Sequence, residues 1–141
     1  MLNPSQRATI VAVIDPQSSA AAKSSGWIDA TTFLNYLATV SVGALGEDAT
    51  VDAKLEQATS NAGAGAKDVA AKAITQLVAG SKQAQIDLKQ EDLDFANGFK
   101  FFRLTITPAT AATLIAGTVQ GFDAAYGVAG DNAADSLAET V

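Results

Sequence analysis

The chain has 141 residues, 48% of them hydrophobic and 17% charged, with 15 acids against 9 bases and a net charge of −6. That length predicts one domain, and the apolar share excludes wholesale disorder. Cysteine and histidine are both absent, which removes disulfides, thiol nucleophiles, histidine-dependent triads and the usual ligands of zinc, copper and haem.

Met1 to Gln6 has no basic stretch leading into a long apolar segment, so the chain is expected to be made in the cytoplasm without a leader. Residues 1–7 read as an N-terminal arm. Ala8 to Ile14 is partly apolar on both faces, as are Tyr36 to Leu45 and Leu114 to Phe122. All three are expected as central or doubly covered strands. Ala30 to Gly46 carries no charge but is interleaved with polar residues, so it does not read as a membrane span. Val51 to Glu56, Gln83 to Lys89 and Lys100 to Thr107 alternate with period two, the mark of antiparallel strands with one wet face. Their inward set is Val51, Leu55, Ile86, Leu88 and members of the trio Phe102, Leu104 and Ile106.

Turns are expected at Asp15-Pro16, Ser24-Ser25-Gly26, Gly46-Glu47-Asp48, Gly63-Ala64-Gly65, Gly80-Ser81, Asn97-Gly98 and Thr107-Pro108. Asp68 to Val78 is ambiguous: a strand near Ala73 to Leu77, with a short helix as the rival. Val128 to Val141 contains Asp131, Asp135 and Glu139 with no base, and reads as an acidic tail, frayed or briefly helical. The predicted fold is all-β: an antiparallel, jelly-roll-like β-sandwich of seven to nine strands spanning 8–127, with flexible arms at 1–7 and 128–141.

Chemical motifs fail on spacing. Asn61 to Lys67 lacks the glycine spacing of a phosphate loop, and Asp68 stands where Ser or Thr would bind magnesium. Glu91 to Gly98 is the densest acidic run. Counted from Asp92, its fifth position is Ala96 and its twelfth Arg103, so the calcium-loop register is not met. No nucleophile elbow occurs. The expectation is a protein without enzyme activity, cofactor or metal. Scattered single bases argue against binding nucleic acid or an anionic membrane. Phe101 and Phe102 are strand neighbours and must face opposite ways, so one of them points out of the core beside Arg103. Trp27, Phe101, Phe102, Arg103 and Tyr126 are the candidate contact residues, because aromatics and arginine are enriched at interfaces.

Gly26-Trp27-Ile28-Asp29-Ala30, Val42-Gly43-Ala44, Val51 to Ala58 with the Gly65-Ala66-Lys67-Asp68 loop, Phe102-Arg103-Leu104-Thr105 and Gly121 to Gly127 form an ordered series of patches. Across residues 8 to 127 this series resembles a family of small virion proteins of tailed bacteriophages, encoded near the major capsid protein. Ala124-Ala125 stands where that family often has Pro-Arg. The resemblance implies a head decoration, or cement, protein with a β-sandwich body. It would sit on the outer capsid surface, partnered by the major capsid protein and by copies of itself, a trimer being favoured. A neck or tail component and a carbohydrate- or receptor-binding module are the alternative classes.

Overall fold

Alternating segments become nine strands: β1 (Ala8–Ser19), β2 (Lys23–Ser24), β3 (Ile28–Asp29), β4 (Phe33–Leu45), β5 (Thr50–Ala58), β6 (Lys67–Ala73), β7 (Lys82–Lys89), β8 (Phe101–Ala109) and β9 (Thr113–Ala124). A one-turn helix, α1 (Pro4–Arg7), precedes them. The computed structural model describes residues 1–141. One sheet runs β1-β9-β4-β7; the other runs β2-β8-β5-β6, with β3 also paired to β8. Every pairing is antiparallel. The chain is a long hairpin wound up on itself. Its tip is β5/β6, and the pairs β4/β7, β2-β3/β8 and β1/β9 follow outward, placed in one sheet or the other. This is jelly-roll winding.

The core lies between the sheets. Val51, Leu55, Leu88, Phe102, Leu104, Ile106, Val40, Val119 and Phe33 are buried in it, and all three of Phe102, Leu104 and Ile106 point inward. Phe33, Tyr36 and Phe102 stack edge to face, with ring centroids 5.8 and 4.7 Å apart. Burial raises the Tyr36 hydroxyl above its ordinary range, outweighing its hydrogen bonds with Thr32 and Phe33. That hydroxyl donates to the Asp29 carbonyl (3.1 Å) and accepts from the Phe33 amide (3.2 Å), pinning the chain where it enters β4.

Several expectations change. Asp15-Pro16 is not a turn: β1 continues to Ser19 and absorbs the pair in a register shift between Ile14 and Gln17. β1 is an edge strand, where a bulge and a proline lacking an N–H are tolerated. Thr107-Pro108 likewise lies inside β8; Pro108 is opposite Val51, past the Lys23–Ile106 pair where β2 begins. The reversal comes after it, at Thr110 with φ +74°. In the ambiguous segment the strand is Lys67–Ala73, earlier than expected, and Leu77 makes a single bridge to Val51. Of the three segments expected as central or doubly covered, Tyr36 to Leu45 and Leu114 to Phe122 lie in central strands, β4 and β9, whereas Ala8 to Ile14 lies in the edge strand β1.

The end segments, expected as arms, lie together on the β1 edge. Ala129 is buried in a 3-10 turn, Ala129–Asn132, beside α1, and the Ala134 amide donates to the Ile10 carbonyl (2.7 Å). No helix is long and apolar enough to cross a membrane.

Candidate interaction surface

Alternation along β5 and β8 places Lys54 and Glu56 opposite Thr105 and Arg103 on the outer face of the second sheet. Glu56 Oε2 accepts from Arg103 Nε (2.9 Å) and from Thr105 Oγ1 (2.7 Å). Because Thr105 spends its proton on Glu56, Ser24 Oγ donates to Thr105 (2.8 Å). Lys54 adds a 2.6 Å hydrogen bond to Asp68 and stands 3.7 Å from Glu56. Partial burial works to raise the Glu56 carboxyl, but the Thr105 and Arg103 hydrogen bonds and the charges of Arg103 and Lys54 hold it below the ordinary carboxylate value. The hydrogen bond to Asp68 lifts the Lys54 ammonium.

Trp27 belongs to this network. The Arg103 guanidinium lies 4.6 Å from its ring centroid. The other constraint is Gly63 at the β5/β6 tip, with φ +81° and so little room that a Cβ there would come 2.8 Å from Trp27 Nε1. Glycine at this point allows both the left-handed backbone and the ring contact. Trp27, Arg103 and half-buried Phe101 therefore share one side of the sandwich, with the first two committed to internal partners. Phe102 is corrected: it is wholly buried, since strand geometry sends it inward and Phe101 outward.

Tyr126 stands apart from these. It is 88% exposed just past β9, near Leu34, itself 50% exposed. Two open grooves meet at Leu34. One, of about 410 Å³, is lined by Thr31, Thr32, Gln90, Tyr126 and Asn132. The other, of about 630 Å³, is lined by Asn35, Glu91, Leu93 and Phe95. The acidic run beside the second groove is neutralised locally: Asp92 pairs with Lys72 (3.0 Å) and Asp94 with Lys67 (2.8 Å).

The feature that motif reading missed is the outer face of the β1-β9-β4-β7 sheet. Register places Ile10, Gln120, Leu37 and Asp87 in one row across it, and Val13, Thr118, Thr39 and Gln85 in the next. β4 has no charged residue, and β9 has only Asp123 near its end. Five of the six ion pairs involve β5, β6, β8 or the residues flanking them, leaving Lys89–Glu91 at the end of β7. The signal was present as the uncharged Ala30 to Gly46 stretch and the two-faced apolarity of Leu114 to Phe122. What could not be read was that one of those faces is left open.

No family model matches the chain, and no curated protein matches it. Among solved structures, a chain in the electron cryo-microscopy structure of the Cowpea Mosaic Virus empty virus-like particle is similar. The TM-score is 0.49 at 12% identity, over 92% of this chain and 87% of that one.

Proposed function

We propose that the protein is a non-enzymatic structural virion protein that decorates the outer surface of a tailed-phage head and holds its capsid subunits together. The sequence patches described above support this reading, and so does the jelly-roll winding, a fold used by viral coat domains and by lectins. Fold alone assigns no function. The observation that carries the reading is the end of the sandwich where Tyr126 and Leu34 stand exposed over two grooves, on a body where Phe33, Tyr36 and Phe102 are buried and Trp27 is paired with Arg103. Exposed aromatic anchors of this kind concentrate binding energy in protein contacts. The major capsid protein is the partner. Weak single contacts multiplied over a small homo-oligomer give firm attachment, and the net charge of −6 keeps the protein off packaged DNA.

Co-sedimentation with purified heads tests the reading. The wild-type chain should pellet with heads, and Tyr126→Ala, exposed and so folding normally, should bind at least tenfold more weakly. Heads that sediment without the protein, or heads as heat-stable without it as with it, would end this proposal. A second reading, carbohydrate binding, is favoured by one observation: Tyr126 sits in a groove beside Thr31, Thr32, Gln90 and Asn132, polar groups around an aromatic face. Glycan-array binding lost in Tyr126→Ala, with no head binding, would select it instead.

A further inference from the structure

We propose that the outer face of the β1-β9-β4-β7 sheet, uncharged at its centre, joins two copies of this chain face to face. The proposal stands whether or not the protein resides on a head. Leu37, Phe122, Ile10, Val13 and Leu114 point out of this face, and Leu114 is 49% exposed. The face is mixed, with Leu37, Phe122 and Leu114 set among Thr39, Ser41, Thr118 and Gln120, and open grooves run across it beside Leu114 and beside Leu37 and Phe122. Its own C-terminal segment already lies on the β1 margin, where Leu137 lines a small cavity with Ile10, Val13 and Ala116. Apolar cover is therefore accepted there.

Charge selects the occupant. Two chains of net charge −6 repel through most of their surfaces. Here the charges lie at the margins, Asp87 and Lys89 on β7, which cancel, Asp15 on β1 and Asp123 near the end of β9, while Leu37, Thr39, Ser41, Ala116, Thr118 and Gln120 in the middle carry none. A face uncharged at its centre lets identical acidic copies meet there with little repulsion, and a two-fold contact uses the same patch on both partners. Area suffices as well. Four strands at a spacing of about 4.8 Å, the central ones about 40 Å long, present roughly 700 Å². A standard interface takes about 800 Å² of accessible surface per partner, and upright side chains add to the projected area. A flat face meets one partner at a time, so it yields a pair; a trimer would need a second, heterologous surface.

Sedimentation equilibrium over a concentration series tests this. The wild-type chain should run at twice its monomer mass at micromolar concentration. Thr39→Arg, which places a charge in the middle of the face, should weaken the pair at least 100-fold, whereas Thr107→Arg on the outer face of the opposite sheet should leave it intact. The chain has no cysteine, so a Ser41→Cys variant provides a measurement that needs no destabilising charge. Its thiol should react with a maleimide more slowly as protein concentration rises, while that of Thr107→Cys should react at a constant rate. A wild-type monomer at all concentrations, an assembly indifferent to Thr39→Arg, or concentration-independent labelling of Ser41→Cys would overturn the proposal.

Discussion

Gly121→Ala probes how tightly the two sheets are pressed together. Gly121 is buried in β9 between Thr9 of β1 and Tyr36 of β4, and a Cβ built on it would lie 2.5–2.7 Å from three ring atoms of Phe33. The ring has nowhere to go: it is fully buried and edge-packed on Tyr36, which is itself packed on Phe102. Overpacking of this kind costs about 1–3 kcal/mol, offset by about 0.4–1 kcal/mol because alanine reduces the freedom of the unfolded chain. The net loss should be about 1–2 kcal/mol, a fall in Tm of roughly 3–7 °C for a domain of this size. Gly117→Ala is the internal comparison. Its Cβ would meet Leu104 Cδ2 at 2.9 Å and Ile106 Cδ1 at 3.2 Å, flexible side-chain ends that can turn aside, so its effect should be smaller. Urea unfolding at constant m measures both. In the double variant Gly121→Ala/Phe33→Leu, the smaller side chain relieves the clash, and the two changes should depart from additivity by about 1 kcal/mol or more. Gly121→Ala within about 0.5 kcal/mol of wild type, or an additive cycle, would refute this account of the packing.

Three further outcomes are expected. Leu104→Ala, which empties a fully buried site, should cost about 2–5 kcal/mol in urea unfolding. Glu56 has its folded-state pKa held below the ordinary value of 4.5. Its stabilisation is therefore present above that value and lost as pH falls through the folded pKa; Glu56→Gln should lower stability at neutral pH and flatten the acid limb of a stability–pH curve. Removing residues 128–141 exposes the Ala129 site and the Ile10 carbonyl; it should cost about 1–2 kcal/mol and leave the β-sheet circular dichroism in place.

Period-two alternation made β5, β7 and β8 legible, because each has one face in the core and one in water, and that demand is written in every second residue. Val51, Leu55 and members of the trio Phe102, Leu104 and Ile106 followed from it directly. Proline and glycine punctuation was less informative. Pro16 and Pro108 mark places where a strand has no partner for an amide, which depends on strand order rather than on local sequence. The candidate residues divided along the same line. Phe101 and Phe102 had to part company by geometry alone, but which one entered the core depended on the register with Gln57 and Ala58. Trp27 and Arg103 meet because β3 and β8 pair and the β5/β6 tip folds over them, contacts that join residues 36 and 76 positions apart in the chain.

By itself the sequence determined an antiparallel β-sandwich, an acidic surface and no site for histidine or cysteine chemistry, since composition and side-chain period act locally and need no knowledge of neighbours. The tertiary structure decided which strands are central, how the hairpin winds into a jelly roll, which aromatic anchors are already engaged and which sheet face remains bare. Those depend on long-range pairing, and the free energy of a pairing belongs to both strands at once.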